Sequence, residues 1–254
     1  MNSSENTLKI CTSMGVKKVH KTLLSKLILG FIGGAMISLG YLAYLRIAAV
    51  FSGAWEGIGH LIGSAIFPIG LIIILLAGGE LVTGNMMVVS SSLFERKITL
   101  KDWILNLTTI TLANALGALF VALFFGHLLG LTSQGIYLEK LLSLCHHKLD
   151  ATFLQCFLSG IGCNWFVGLS LWLSYGAKSG GAKILAIWFP VMSFVVIGFQ
   201  HCVANIFLVS AAIMEGHYSW LAFIQNFLPV FLGNIVGGSV FVAAFYYLSY
   251  SPKE

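Results

Sequence analysis

Gly78-Gly79-Glu80-Leu81-Val82-Thr83-Gly84-Asn85 lies in the middle of one long apolar run, and Gly198-Phe199-Gln200-His201-Cys202-Val203-Ala204-Asn205 lies in the middle of another. A continuous helix is poorly served by Gly-Gly followed by Thr-Gly, because each interior Gly costs about 1 kcal/mol relative to Ala. Both stretches therefore predict helices that break midway. Non-helical backbone at membrane depth survives only where protein buries it or where it lines a cavity. Glu80 and Asn85 can hydrogen-bond the backbone groups freed by one break, and Gln200 and Asn205 those freed by the other. Loop support is the first reading of these four side chains, and direct solute contact is the second.

Composition places the runs in a membrane. The 254-residue chain is 58% hydrophobic and 9% charged, with a mean hydropathy of +0.93. A soluble domain carries roughly 25% charged residues, so this chain has too little polar surface to cover itself in water. Its excess apolar surface must face lipid. The 28 glycines suit helices whose backbones approach closely inside a bilayer. The five cysteines show no metal-type CxxC spacing and read as small buried hydrophobes. His146-His147 lacks further spaced ligands. Neither a metal nor a cofactor is expected.

Apolar stretches run at about 27–50, 58–92, 103–130, 153–175, 184–213 and 219–249. Spanning takes roughly 20 residues, so six crossings are expected, the second and fifth overlong. Residues 1–26 form an amphipathic, basic N-terminal segment without a signal-peptide pattern, and an interfacial helix is expected there. The channel domain occupies 27–250, and 251–254 is a short tail. With six crossings, Lys9, Lys17, Lys18, Lys21, Lys26, Arg96, Lys97, Lys101, Lys178, Lys183 and Lys253 share one side, against Arg46, Lys140 and Lys148 on or toward the other. The excess of Lys and Arg marks the cytoplasmic face. Both termini of this multi-pass cell-membrane protein are expected there.

A shift of 120 residues lays the chain on itself. Asn85 falls on Asn205, Asn106 on Asn226, Asn114 on Asn234, Gly117 on Gly237, and Glu80 on Gln200. Each copy holds three spans, an odd number, so the copies must be inverted relative to each other. Inverted repeats place a site at their interface near the bilayer midplane, which pairs the two broken midpoints. The fold class is all-α, six transmembrane helices in two inverted three-helix repeats, with helices 2 and 5 broken.

His201 is the ionisable group at the centre of that pairing. Such a residue inside a span is a functional candidate by default, and imidazole can hydrogen-bond an anion or exchange a proton with it. The alternative is a neutral imidazole satisfied by a neighbour such as Asn164. His60 and His127 sit nearer span ends and read as interfacial.

With these residues in view, the chain resembles the formate/nitrite transporter family over nearly its whole length. The resemblance is carried by Ala77-Gly78-Gly79-Glu80-Leu81-Val82-Thr83-Gly84, by Gly160-Ile161-Gly162-Cys163-Asn164-Trp165-Phe166-Val167, and by the His in Gly198–Ile206, in that order and spacing. It implies an aquaporin-like protomer, a homopentamer with one pore per protomer, and transport rather than enzymatic turnover. It implies that Thr83 faces His201 across the pore, with Asn164 and Asn205 as polar neighbours and Lys148 reaching toward the pore. It further implies an outer constriction of Phe67 and Phe194, and a cytoplasmic one of Leu71, Leu81 and Val82. Gln200 stands where many relatives carry Glu, which resembles the hydrosulfide-channel branch, and Val82 stands where relatives carry a bulkier residue. The expected solutes are small monovalent anions, hydrosulfide first and formate or nitrite next, with His201 polarising the anion or donating a proton. A neutral-solute pore of the aquaporin type is the alternative, although its Asn-Pro-Ala loops are missing here. A membrane enzyme or haem protein would need more intramembrane ligands than Glu80 and His201. No nucleic-acid partner is expected, because the basic residues follow topology.

Overall fold

The computed structural model describes residues 1–251; Lys253 and most of the 251–254 tail lie outside the described residues. Helix α1 covers Ser4–Val19. Spans follow as α2 Leu23–Ala48, α3 Gly53–Gly78, α5 Leu100–Leu128, α7 Phe153–Gly176, α8 Gly180–Ile197 and α10 Trp220–Tyr250. Two shorter apolar helices, α4 Val82–Phe94 and α9 Cys202–Met214, complete the second and fifth crossings. Helix α6, Gly135–Leu149, lies between α5 and α7. The expected 58–92 run is thus α3 plus α4, and the 184–213 run is α8 plus α9.

Spans begin where a hydroxyl can satisfy first-turn N–H groups that have no intrahelical partner. Thr22 accepts from the Ser25 N–H, Ser179 from Ala182 and Ser219 from Ala222. Thr99 with Asp102, and Thr152 with Gln155, form reciprocal capping boxes. These caps sit at the ends of the bundle, where polar side chains mark the limits of the apolar layer. Between them, Leu112, Leu116, Phe189 and Leu228 stand exposed on the outer surface.

Lipid offers no hydrophobic drive for helix association, so packing rests on close backbone approach. A Cβ on Gly117 of α5 would run into the Phe31 carbonyl oxygen of α2, and one on Gly237 of α10 would run into the Ile161 carbonyl oxygen of α7. Gly117 and Gly237 are 120 apart, whereas Phe31 and Ile161 are 130 apart. The first spans of the two repeats are therefore offset by ten residues more than the later ones. Eight of those ten residues lie in the second span itself, where α3 has 26 residues against 18 in α8.

Two elements go beyond the expectation. Helix α1 is docked on the bundle. Ser92 Oγ donates to the Thr12 carbonyl at 2.7 Å, and the Asn2 N–H donates to the Gly176 carbonyl at 2.7 Å. Its apolar face is thus spent on protein. Helix α6 was not foreseen, because its mean hydropathy is low and its Cys-His-His-Lys end gives no span signal.

Gly117→Val and Gly237→Val are each expected to abolish recovery of folded protein in mild detergent. Gly180→Ala, at a glycine with open space around it, should leave the yield and the unfolding temperature unchanged; size-exclusion chromatography and thermal unfolding measure both.

Candidate functional site

Both breaks start at a glycine in the left-handed region, Gly78 at φ 100° and Gly198 at φ 88°, a conformation that L side chains rarely adopt. The chain then extends and re-enters helix at Val82 and Cys202. The freed backbone groups are met by side chains, in the same way on both sides. Asn114 Oδ1 accepts from the Val82 N–H at 2.9 Å, and Asn234 Oδ1 accepts from the Cys202 N–H at 2.9 Å. Asn114 Nδ2 donates to the Gly30 and Glu80 carbonyls, and Asn234 Nδ2 to the Gly160 and Gln200 carbonyls. A second layer braces the loop side chains. Asn85 Nδ2 donates to Glu80 and to Asn106, and Asn205 Nδ2 donates to Gln200 and to Asn226. Asn205 is fully buried in this brace. Its Nδ2 is spent on Gln200 and Asn226 as Asn85 Nδ2 is on Glu80 and Asn106, and it does not line the cavity at His201.

The two halves meet at Thr83 and His201, whose Oγ1 and Nε2 are 2.9 Å apart. The tautomer follows from the other ring nitrogen. His201 is the N-cap of α9, and its Nδ1 accepts the Ala204 N–H at 3.2 Å. Nδ1 therefore carries no proton, and Nε2–H donates to the Thr83 hydroxyl. Asn164 reaches this pair indirectly, donating to the Thr83 and Asn234 carbonyls at 3.2 and 2.7 Å. The partner of His201 is thus Thr83 and not Asn164. The N-termini of α4 and α9, each carrying the partial positive charge of a helix start, converge on the same point. In the first turn of α4, Val82 and Asn85 have acceptors in Asn114 and Leu81, which leaves the Thr83 and Gly84 N–H groups without one among the described residues.

A cavity of about 240 Å³ opens from the face opposite α1 and reaches His201. Its walls include Phe67, Phe194, Lys148, His147, His60 and Tyr44. Phe67 and Phe194 meet edge to face with centroids 5.8 Å apart, and Phe194 stacks on the His201 ring at 6.1 Å. Leu71, Leu81 and Val82 are buried and do not line this cavity. Lys148, near the end of α6, makes no ion pair among the described residues. Burial in the wall pushes its ammonium down to about 8. No three His, Cys, Asp or Glu side chains among the described residues gather as metal ligands do.

Sequence reasoning missed Lys18 and Lys21. Both clamp Glu80, Lys18 Nζ at 2.7 Å from Oε2 and Lys21 Nζ at 2.9 Å from Oε1. The backbone carbonyls of Lys18 and Lys148 accept from Asn106 and Asn226 respectively, so the two lysines are repeat mates. They are 130 apart, as Gly30 and Gly160 are. A second comparison at that offset would have found them.

A sequence profile described as formate/nitrite transporter matches residues 5–248. The chain is 51% identical to an uncharacterized transporter, YrhG, of Bacillus subtilis (strain 168), over 94% of this chain and 90% of that one. It is 47% identical to the formate channel BtFdhC of Bacillus thuringiensis, over 98% of this chain and 96% of that one. Among solved structures, an FNT family ion channel superposes with a TM-score of 0.90 at 26% identity, covering 97% of this chain and 99% of that one. A pentameric formate channel with formate bound gives 0.77 at 30% identity, covering 91% and 98%.

Asn234→Leu keeps the volume but orphans the Cys202 N–H and takes the side-chain donor from the Gly160 and Gln200 carbonyls. A buried group left without its partner costs about 1–3 kcal/mol, so a marked fall in unfolding temperature is expected. Thr83→Val, which removes one hydroxyl from the same region, should fall far less; side-by-side thermal unfolding in one detergent decides the ranking.

Proposed function

The chain belongs to the formate/nitrite transporter family, and we propose that it is a channel for small monovalent anions, formate foremost, with the Thr83–His201 contact at the centre of its path. The observation that carries this reading is the arrangement of neutral donors at that point: the His201 Nε2–H, the Thr83 hydroxyl and the start of α4. Such donors replace part of an anion's hydration where a bare charge in apolar surroundings would be expensive. The relatives are named as channels and transporters, and the channel with formate bound is pentameric. We take this chain to assemble likewise, with one path per protomer. The ten basic residues described on the α1 side support a cytoplasmic placement of that face, with both termini.

His201 acts as a polarising donor in this proposal. Giving up the Nε2 proton from the neutral ring would leave an imidazolate, and a proton on Nδ1 would forfeit the Ala204 cap. Formate therefore crosses as an anion. Lys148 sets the entry step, raising local anion concentration at the outer mouth. Its repeat mate Lys18 is neutralised by Glu80, whereas Gln200, the mate of Glu80, offers Lys148 no carboxylate. Phe67 and Phe194 form the outer narrowing, and Leu71, Leu81 and Val82 the cytoplasmic one. Gln200 also supports hydrosulfide as a second solute, since a small weakly hydrated anion gains from the same unpaired cation.

Flux of formate, hydrosulfide, nitrite and chloride into proteoliposomes tests the reading, with His201→Phe as the decisive variant. Formate flux should drop by about tenfold or more, in line with loss of one well-placed donor at about 1.4 kcal/mol or above; undiminished flux removes His201 from the path. Lys148 is charged below about pH 8 and neutral above it. Formate entry from the outer face should then decline as external pH rises through about 8, while formate itself stays ionised. Lys148→Met should flatten that decline, and Lys148→Arg should remove it while retaining flux. Gln200→Glu is expected to raise the half-saturating formate concentration by about threefold to tenfold through pairing with Lys148, leaving maximal flux nearer wild type.

A further inference from the structure

His60 read as an interfacial residue in the sequence, yet it stands half-buried in the cavity wall on α3. Its Nε2 lies 3.0 Å from the Val196 carbonyl oxygen, and its Nδ1 lies 2.7 Å from the Tyr44 hydroxyl. A carbonyl only accepts, so Nε2 carries the proton and donates to it. Nδ1 of the neutral ring accepts from the Tyr44 O–H. One imidazole thus joins three spans: α2 through Tyr44, α3 by its own backbone, and α8 through Val196.

The bond to Val196 falls at a helix end, where the last carbonyls lack intrahelical partners. The Gly198 N–H serves the Phe194 and Val195 carbonyls, and the Phe199 N–H serves Phe194 again. None of these reaches Val196, whose carbonyl is taken by His60. The second span therefore caps the fifth at the point where the fifth breaks. Phe194 sits in that last turn, packed on Phe67 and stacked on His201. His201 follows the break by three residues. Any shift of the turn moves the aromatic narrowing and the imidazole together.

We propose that His60 is a positioning residue of the pore: it caps the carbonyl end of α8 from the second span and so sets both the width at Phe194 and the reach of His201. The inference rests on the reading of this cavity as the anion path. It differs from a general packing role in what it controls. Trp188 Nε1 of α8 still donates to the Ala65 carbonyl of α3 at 2.8 Å, so the two spans stay joined when the imidazole is removed.

The test compares formate with the bulkier acetate in proteoliposomes made from wild type, His60→Leu, His60→Gln and Tyr44→Phe. Loosening the turn should lower the formate-to-acetate flux ratio by about tenfold in His60→Leu, since misplacement of about an ångström is felt at that level. His60→Gln, whose amide can donate to Val196 and accept from Tyr44, should restore most of the ratio, and Tyr44→Phe should fall between. An unchanged ratio in folded His60→Leu, or Gln no better than Leu, overturns the inference. If His60→Leu is not recovered from membranes, Tyr44→Phe decides, and a wild-type ratio there overturns it as well. Absence of any formate flux in the wild type sinks the channel reading itself, and the cap with it; wild-type flux with unaltered variant ratios sinks the cap alone.

Discussion

Two backbone breaks in the middle of an apolar bundle have to be satisfied without water, and the Asn114 and Asn234 amides do this. Each asparagine accepts from the first N–H of a half-helix and donates to two carbonyls, one in the loop and one in the neighbouring span. An amide can do both at once because its oxygen and nitrogen point apart. Everything central depends on this. The loops hold their extended path, the half-helices start at the midplane, and Thr83 and His201 are aimed at each other. In water the same loops would be solvated and mobile; in the bundle the protein itself must supply every partner.

The scaffold is symmetric, but the chemistry on it is not. Leu81 occupies the place of His201, Val203 that of Thr83, Glu80 that of Gln200, and each pair is 120 residues apart. One half thus contributes an imidazole and the other a hydroxyl at the meeting point. On the α1 side the carboxylate of Glu80 holds Lys18 and Lys21, so charge there is spent within the protein. On the opposite side Lys148 has no such partner among the described residues. The repeated three-span unit gives the geometry, and the residues that differ between its two copies give the proposed path its polarity.

Much of this was legible in the residues because the physics is local. Polar side chains in the middle of apolar runs announced the breaks, and the odd number of spans per repeat forced the inversion. Glu80, Asn85, Gln200 and Asn205 were legible as supports of the breaks, but their coupling in pairs, from the extended loop to the first turn of the half-helix, was not. Other features were illegible for equally physical reasons. Lys18 lies 62 residues from Glu80, and nothing in a basic amphipathic segment distinguishes a buried clamp from a solvated face. The ten-residue difference between the offset of the first spans and that of the later ones hid the matching of Lys18 with Lys148 at the shift that revealed the asparagines. His60 resembled an interfacial residue because its two partners, Tyr44 and Val196, come from other spans. Phe67 and Phe194 looked like any packed aromatics, and only their edge-to-face contact beside His201 sets them apart.

The neutral tautomer of His201 bears on how such a path can conduct. A fixed cation at the midplane would bind an anion tightly in surroundings of low polarity, and release would then limit the rate. Conduction needs binding strong enough to admit the ion and weak enough to let it leave. In the proposed path the full charge stands apart from the centre, on Lys148 in the cavity wall. The centre offers only dipoles: an Nε2–H, a hydroxyl and the first turns of α4 and α9. The Ala204 N–H, by occupying Nδ1, keeps the ring in that state without help from any carboxylate. In the proposed path, recruitment and passage thus fall to different groups. Moving the charge inward, as an imidazolium, would strengthen binding at the one point where weak binding serves throughput.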